Sequence, residues 1–260
     1  MIHQFYKYQG AGNDFILLDN RSLSFNVNTD TIEKLCDRRF GIGADGLMLL
    51  ENSSEADFYM RYFNADGGES TMCGNGGRCI VAFARRLGII DKDTLFQAYD
   101  GLHKAKIMDS RIISLQMKNI EYCIKYGNDY YVDTGSPHYV KFVEDIRNAQ
   151  VYEEGKKIRV DEDIAPHGTN VNFVKIDGEG KLSLRTYERG VENETLACGT
   201  GAVASAVCTY LERKSDKTSY LINVVGGKLI VDFEVSGAYN FKNIWLTGLA
   251  DYVYEGNIEI

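Results

Sequence analysis

Two of the six cysteines begin similar glycine-rich segments. Cys73 starts CGNGG and Cys198 starts CGTGA, and each segment runs into small and apolar residues that are typical of a buried helix. The unpaired N–H groups and the positive dipole end of a helix N-terminus bind anions and lower the pKa of a nearby thiol. A thiol whose pKa lies close to neutrality can both accept and donate a proton. The two segments therefore indicate acid–base chemistry by thiols.

The glycines beside these cysteines suggest what the thiols act on. Because glycine has no side chain, Gly74 and Gly199 let a carboxylate approach the backbone and accept N–H hydrogen bonds. If both helix starts face one site, an amino-acid carboxylate lies between two helix ends. One thiolate then removes the α-proton, the carboxylate takes up the developing charge, and the opposite thiol returns a proton on the other face. Such an inversion needs no organic cofactor and no metal, and we expect neither.

The sequence around the two cysteines is repeated. Gly12 lies 61 positions before Cys73, and Gly135 lies 63 positions before Cys198. Each of these glycines leads into an apolar run, and each cysteine follows a strand-like run and a polar turn. The matching positions before the cysteines are Arg61 with Arg185, Phe63 with Tyr187, and Asn64 with Glu188. The chain therefore contains two similar halves.

The pattern of short strands and few helices predicts an α+β fold. Runs such as FILLD, ISLQM, VNFVKI and YLINVV favour strands, and helices are predicted at residues 29–39, 77–87 and 201–213. We expect two pseudo-symmetric halves, each a mainly antiparallel β-barrel or roll around a central helix, with the active site in the cleft between them. The predicted halves are residues 1–117, completed by a C-terminal strand at 251–260, and residues 118–250.

Composition narrows the class of partner. The net charge is −8, and no block of basic residues is present, which argues against nucleic acid and favours a small-molecule substrate. No apolar stretch approaches the roughly 20 residues that span a bilayer, and the N-terminus lacks the pattern of a signal peptide. We expect no membrane association and a cytoplasmic location. The six cysteines match neither a disulfide scaffold nor a zinc ribbon, so thiols are expected.

Several longer motifs occur in one order along the chain. They are GAGNDF (10–15), RRFGIGADGL (38–47), YFNADGGE, MCGNGGRC, TNVNFV (169–174), YERG (187–190) and ETLACGTGA (194–202). With these motifs the sequence resembles the diaminopimelate epimerase family over essentially its full length. The resemblance implies interconversion of LL- and meso-diaminopimelate, a step toward lysine and peptidoglycan precursors, without metal or pyridoxal phosphate. Apart from the resemblance, a homodimer is one assembly that we expect to test.

The resemblance also implies roles for individual residues. Cys73 and Cys198 match the family's acid–base pair. The residues that would hold the reacting carboxylate are Gly74, Asn75, Gly199 and Thr200. Those that would bind the distal amino-acid end are Asn13, Asn64, Asn170, Glu188 and Arg189. Such an end carries an ammonium and a carboxylate, which need acceptors and an arginine fork respectively.

Three further positions are candidates for the substrate site. Some family members carry Gln where this sequence has Gly46, and Asn where it has Ser136. The Ser136 hydroxyl can still donate or accept a hydrogen bond, whereas Gly46 offers only its backbone. His138 could orient the distal end of the substrate or a cysteine, and a structural histidine bonded to the backbone is the alternative.

Other functions remain open at this point. A proline racemase-like or hydroxyproline epimerase-like enzyme would share the fold, but those relatives typically carry His after the first CG, where this chain has Asn75. A phenazine-pathway isomerase would replace the thiol pair with carboxylate chemistry, which Cys73 and Cys198 argue against. Outside catalysis, two thiols meeting across a cleft could form a redox switch, or the chain could bind amino acids without turning them over.

Overall fold

The computed structural model describes residues 1–214 and 216–260. The chain divides into two compact units, Met1–Leu115 with Gly248–Ile260 (unit 1) and Gln116–Thr247 (unit 2). Most of the regular structure is β, with four helices among the described residues. The α+β class and the two repeated halves are confirmed. No helix within the described ranges is long and apolar enough to cross a membrane.

The strands and helices follow one another in a regular order. They are β1 (Ile2–Gly10), β2 (Asn13–Asp19), α1 (Thr29–Cys36), β3 (Gly46–Glu51), β4 (Phe58–Asn64), β5 (Glu69–Ser70), α2 (Gly74–Arg86), β6 (Asp93–Ala98), β7 (Gly101–Ile107), β8 (Ile112–Gln116), β9 (Cys123–Tyr126), β10 (Asp129–Asp133), β11 (Pro137–Phe142), α3 (Val151–Arg159), β12 (Asn170–Gly178), β13 (Lys181–Glu188), β14 (Asn193–Thr195), α4 (Gly199–Arg213), β15 (Ser219–Val224), β16 (Gly227–Gly237), β17 (Asn240–Leu249) and β18 (Asp251–Glu259).

Strand pairing repeats between the units. In unit 1, β1 pairs antiparallel with β2, β2 runs parallel to β3, and β4 pairs with β3 and β5 and runs parallel to β6. In unit 2, β10 pairs with β11, β11 runs parallel to β12, and β13 pairs with β12 and β14 and runs parallel to β15. A further antiparallel strand flanks each first hairpin, β18 beside β1 and β9 beside β10.

The register of the parallel pairs fixes which residues correspond. Phe15 lies beside Gly46 where β2 meets β3, and His138 lies beside Asn170 where β11 meets β12. Gly46 and Asn170 are therefore equivalent positions of the repeat. Gly46 is also paired with Asn64 across the antiparallel β3–β4 ladder. Two candidate site residues of unit 1 are thus direct neighbours.

A buried helix lies at the centre of each unit. In α2 every residue from Gly74 to Ala84 is buried, and α4 is buried along nearly the same length. Small side chains let the strands approach these helices closely. Both helices begin earlier than predicted, at residues 74 and 199 instead of 77 and 201. The glycines after each cysteine form the first helical turn because the cysteines themselves occupy the N-cap positions.

Helix α1 is shorter than predicted. Asn28 caps it by accepting a hydrogen bond from the Thr31 backbone N–H at 2.9 Å. It ends at Cys36 rather than residue 39, because the carboxylate of Asp37 accepts the N–H groups of Arg39 and Phe40, both at 2.7 Å, and turns the chain. Its apolar face joins a core with strands β2 and β3.

Helix α3 was not predicted from the sequence. Only Val151 and Gly155 are buried in it, so the apolar repeat that marks an amphipathic helix is weak. Gly155 permits close packing, since a Cβ there would lie 2.5 Å from the Cβ of Tyr187. The helix covers β12 and β13 in unit 2 as α1 covers β3 in unit 1.

Candidate active site

In unit 1, Cys73 is the N-cap residue of α2. Its Sγ accepts a hydrogen bond from the backbone N–H of Gly76 at 3.1 Å, and the residue is partly exposed. The thiol therefore lies at the positive end of the helix dipole. A Cβ on Gly76 would lie 2.3 Å from Met48 Cε and 3.0 Å from Cys73 Sγ, so a side chain there would have to displace the end of Met48. The glycine keeps the thiol close to the helix backbone.

Two predicted substrate residues meet beside this helix start. The amide nitrogen of Asn75 donates to Asn13 Oδ1 at 3.4 Å, and the amide nitrogen of Asn13 donates to Asp45 Oδ2 at 2.6 Å. Because each amide donates toward the next residue, the orientation of both side chains is defined. Asp45 was not identified from the sequence, although it lies in the RRFGIGADGL motif.

Asp45 belongs to a cluster of charged residues. Arg38 donates to both oxygens of Asp14, at 3.0 and 2.6 Å, and to Asp45 at 2.7 Å. Lys7 forms a 2.7 Å ion pair with Asp14. Burial opposes ionisation of Asp14, but the hydrogen bonds from Arg38 and Lys7 lower its pKa to about 2. Asp14 therefore stays ionised at neutral pH, and Arg38 joins it to Asp45.

Asn64 and Gly46 lie at one end of the β3–β4 ladder. Asn64 is exposed at the last position of β4, where its side chain is accessible to a ligand. At Gly46 a Cβ would lie 2.6 Å from both Phe63 O and Tyr62 Cε2. This position admits no side chain without a shift of neighbouring backbone. Any contact between Gly46 and a ligand would be made by its backbone, as expected from the sequence.

In unit 2, Cys198 occupies the N-cap position of α4. It is 6% exposed, and its Sγ lies 3.5 Å from Thr200 Oγ1. The Thr200 carbonyl in turn accepts a hydrogen bond from Thr134 Oγ1 at 3.1 Å. The first helical turn is thereby tied to the end of strand β10. Cys198 is more deeply buried than its counterpart Cys73.

Behind Cys198 lies a buried network of neutral polar groups. A Cβ on Gly201 would lie 2.4 Å from Asn172 Oδ1, so this amide packs directly against the helix start. Asn172 Oδ1 accepts from Thr186 Oγ1 at 3.0 Å, and its nitrogen donates to Tyr139 O at 3.2 Å. The same nitrogen lies 2.9 Å from Nδ1 of His138. These bonds fix the amide in one orientation.

His138 is completely buried in this network. Burial, together with the positive charge of Arg189, lowers its pKa to about 3. The ring is therefore neutral, and since Nδ1 accepts from Asn172, the proton is assigned to Nε2. Nε2 has no hydrogen-bond partner among the described residues. The ring is thus bonded to a side chain rather than to the backbone, and it retains an unused donor.

The distal-end candidates of unit 2 form a second group. Asn170 donates to Ser136 Oγ at 2.9 Å and to Pro137 O at 3.0 Å, and it accepts from the Arg189 backbone N–H at 2.9 Å. The structure therefore brings Ser136, Asn170 and Arg189 together. The position equivalent to Asn170 in unit 1 is Gly46, which has no side chain to play the same part.

Glu188 ends strand β13, immediately before Arg189. Its carboxylate accepts from Thr195 Oγ1 at 2.8 Å. Burial raises the pKa of Glu188, while the bond from Thr195 opposes the rise. The guanidinium of Arg189 donates weakly to the His167 carbonyl at 3.4 Å, which leaves most of its donors available.

A matched ion pair braces the turn before each cysteine. Arg61 donates to both carboxylate oxygens of Glu69 at 2.9 and 3.0 Å. Arg185 donates in the same way to Glu194, at 2.6 Å for both contacts. The repeat alignment already equated Arg61 with Arg185, but their partners were missed because the intervening turns differ in length.

The other cysteines lie in the cores. Cys36, Cys79, Cys123 and Cys208 are buried, and none of the six cysteines, all of which are described, forms a disulfide. Burial raises the pKa values of Cys36, Cys79 and Cys208. In the described ranges, no three His, Cys, Asp or Glu side chains are grouped so that they could hold a metal ion.

Known structures share this architecture. A phenazine biosynthesis protein of the PhzF family from Bacillus anthracis superposes with a TM-score of 0.76 over all of both chains, at 13% identity. A hydroxyproline epimerase from Agrobacterium vitis, with bound trans-4-hydroxy-L-proline, has a TM-score of 0.69 at 15% identity and covers 99% of this chain and 92% of its own. At such identities the likeness establishes the fold alone.

The sequence comparisons are closer. The diaminopimelate epimerase family model matches residues 5–119 and 130–252. A diaminopimelate epimerase from Flavobacterium psychrophilum is 53% identical over 97% of this chain and 99% of its own length. One from Chlorobaculum tepidum is 44% identical over 96% and 99%. The chain therefore belongs to the diaminopimelate epimerase family of isomerases.

Proposed function

We propose that this enzyme interconverts LL- and meso-diaminopimelate, with Cys73 and Cys198 as the two acid–base groups. The observation that carries the proposal is the repeated helix start, since a cysteine caps a buried glycine-rich helix at the same place in both units. Relatives named diaminopimelate epimerase, 53% and 44% identical over nearly the full chain, support the substrate. The reaction would supply precursors of lysine and peptidoglycan.

The proposed reaction is a proton transfer in two steps. One cysteine, as thiolate, takes the α-proton from one face of the substrate carbon, and the C–H electron pair stays behind as a carbanion with enolate character. The other cysteine, as thiol, donates its proton to the opposite face and becomes the thiolate. The net result is inversion with no change in oxidation state. In the reverse direction the two thiols exchange roles.

Backbone groups of both helix starts would stabilise the intermediate. The N–H groups of Gly74 and Asn75 in unit 1, and of Gly199 and Thr200 in unit 2, lie in the first turns of α2 and α4. First-turn N–H groups have no partner within their helix. They can donate to the substrate carboxylate as negative charge develops on it, which lowers the barrier to proton removal.

The distal amino-acid end would be bound by side chains from both units. Asn13 and Asn64 offer amide groups in unit 1, while Asn170, Glu188 and Arg189 offer an amide, a carboxylate and a guanidinium in unit 2. The Arg189 fork suits the distal carboxylate, and Glu188 suits the distal ammonium. Ser136 contributes by holding the Asn170 amide at 2.9 Å. A substrate with a single amino-acid end would leave these groups unpaired, which disfavours proline and hydroxyproline.

His138 and Gly46 would have supporting roles. The neutral ring of His138 can donate from Nε2 to a bound ligand or to a thiolate. Gly46 would contribute only its backbone beside Asn64. We further propose that the enzyme needs no added metal or cofactor and acts in the cytoplasm, where its substrate would be made. We also propose a homodimer, which the molecular mass measured by analytical ultracentrifugation would test.

The proposal is tested by incubating the fully reduced, metal-free protein with LL-diaminopimelate in heavy water. We expect the meso isomer to appear on chiral chromatography, with one deuterium at its α-carbon by mass spectrometry. L-Proline and trans-4-hydroxy-L-proline serve as matched substrates and should show no inversion. If proline or hydroxyproline were inverted and diaminopimelate were not, the proposed substrate would be wrong. If the protein bound diaminopimelate but no deuterium entered the α-carbon, the protein would be an amino-acid-binding protein and not an epimerase.

A further inference from the structure

Arg78 lies one turn into α2 and is fully buried. Its Nη1 donates to the carbonyl of Gly74 at 3.0 Å, and its Nη2 donates to Asn75 Oδ1 at 2.9 Å. A third, longer contact joins Nε to Leu249 O at 3.5 Å. None of the carboxylates in residues 1–214 and 216–260 forms an ion pair with it. A buried guanidinium without a counter-ion is costly, so its presence calls for a compensating role.

The charge of Arg78 acts on two thiols. Burial lowers the pKa of the guanidinium, but arginine remains protonated in proteins. Its electrostatic neighbours are Cys73 and Cys79. Burial raises the pKa of Cys79 well above its usual range, so that thiol stays neutral. Cys73, which is partly exposed at the helix N-terminus, is the thiol that can ionise next to this charge.

Arg78 also determines how Asn75 is presented. Because the guanidinium donates a hydrogen bond to Oδ1 of Asn75, the amide nitrogen of Asn75 points toward Asn13 and donates to it. The guanidinium is itself held by close packing, since a Cβ on Gly10 would lie only 3.4 Å from Nη2. Without the arginine the Asn75 amide could rotate by 180° at little cost, and its contact with Asn13 would lose its direction.

Unit 2 has no equivalent of this arginine. Arg78 lies five residues after Cys73, and the residue five positions after Cys198 is Val203, which is completely buried. The helix start of α4 is supported instead by the neutral amide of Asn172 beside Gly201. A buried arginine at this position of the helix is therefore specific to α2.

We propose that Arg78 is a positioning residue for the Cys73 half of the reaction, where its fork fixes the Asn75 amide and its charge stabilises the Cys73 thiolate and the adjoining substrate carboxylate. This inference rests on the proposed function of Cys73. The two contributions are separable, because lysine keeps the charge without the fork and glutamine keeps a hydrogen-bond donor without the charge.

The first test is the pH dependence of alkylation by iodoacetamide, followed by mass spectrometry of the peptides that contain Cys73 and Cys198. In Arg78→Gln, the midpoint for Cys73 should move up by about one pH unit, because a nearby positive charge has been removed. The midpoint for Cys198 in the same molecules should not move, which provides the matched control. Circular dichroism at each pH checks that the protein remains folded.

The second test separates the fork from the charge. In Arg78→Lys the Cys73 midpoint should stay at its wild-type value, while KM for LL-diaminopimelate rises about tenfold as a charge-assisted bond to Asn75 is lost. An unchanged Cys73 midpoint in a folded Arg78→Gln variant would overturn the inference. If that variant does not fold, an unchanged KM in Arg78→Lys would overturn it. Alkylation of Cys73 can be measured whether or not the protein turns over diaminopimelate. A failure of the proposed epimerisation would therefore be distinguishable from a failure of this inference.

Discussion

The Cys73 and Cys198 helix starts share a backbone design and differ in what supports it. In unit 1 the first turn of α2 is hydrogen-bonded to a buried cation, Arg78, and the nearby Asn13 is hydrogen-bonded to the side chain of Asp45. In unit 2 the first turn of α4 rests on the neutral groups of Asn172 and His138. The two units share the helix N-terminus, which the proposed chemistry needs, and differ in the residues behind it.

This difference gives the two thiols unlike surroundings, although the proposed reaction is formally symmetric. A charged network holds its geometry through ion pairs and is insensitive to mild acid. A neutral buried network depends on the hydrogen bonds among its members and on an uncharged histidine. The variants described next test whether the charged network of unit 1 and the neutral network of unit 2 behave differently.

The largest expected effect comes from the thiols themselves. Cys73→Ala and Cys198→Ala should each lower kcat for epimerisation by about 10³-fold, because each removes one of the two proposed proton carriers. Equal losses would show that both units contribute a base despite their different surroundings. Cys123→Ala, at a buried core cysteine, is the matched control and should retain turnover. Substantial epimerisation by either active-site variant would contradict the two-thiol scheme.

The next effect concerns equivalent glycines, three residues after each cysteine. A Cβ on Gly201 would strike Asn172 Oδ1 at 2.4 Å, and this amide is held by several bonds. A Cβ on Gly76 would strike the flexible end of Met48 at 2.3 Å. Gly201→Ala should therefore lower the free energy of unfolding by about 3 kcal/mol, and Gly76→Ala by about 1 kcal/mol. Urea unfolding measures both, and the reverse order would show that the unit 2 network is not rigid.

A third prediction concerns acid sensitivity. The pKa of His138 is lowered to about 3 in the folded state, so its stabilising effect is complete above its unfolded pKa of about 6.5 and is lost as pH falls toward 3. Between pH 7 and pH 5 the free energy of unfolding should drop by about 2 kcal/mol, and His138→Gln should abolish that drop. Asp14, whose pKa is lowered to about 2, affects stability only below about pH 4. If the free energy of unfolding of His138→Gln dropped equally between pH 7 and pH 5, groups other than His138 would cause the acid sensitivity.

The smallest effect compares the braces before the cysteines. Arg185 bonds Glu194 at 2.6 Å and also donates to backbone carbonyls, including that of Ile146 at 3.0 Å, whereas Arg61 bonds Glu69 at 2.9 Å. Glu194→Gln should lower the free energy of unfolding by about 1 kcal/mol, and Glu69→Gln by about half of that. Thermal unfolding of the two variants at low and high salt measures these losses. Equal losses of unfolding free energy would mean that the two ion pairs contribute equally to stability.

The cysteine motifs and the repeat could be predicted because their signals are local. A cysteine before glycines and a buried helix can be recognised from adjacent residues. The α+β class followed from the same pattern of strands, turns and two central helices. Helix α3 could not be predicted, because with only Val151 and Gly155 buried it lacks an apolar repeat.

The supporting networks could not be predicted either. Asn172 reaches His138 across 34 positions, and Arg38 reaches Asp14 across 24 positions. The first contact depends on the register of parallel strands, which the sequence pattern leaves undetermined. Arg78 was visible in MCGNGGRC, but its burial without a carboxylate partner appears only when the packing around α2 is known.

The central claim is that two different thiols act on opposite faces of one carbon. It is tested by the distribution of deuterium after a few per cent conversion of LL-diaminopimelate in heavy water. If Cys73 and Cys198 act as separate bases, meso product carries solvent deuterium from the outset, while recovered LL substrate still carries protium. Deuterium entering the recovered substrate as fast as the product, or product that keeps its original proton, would contradict the account.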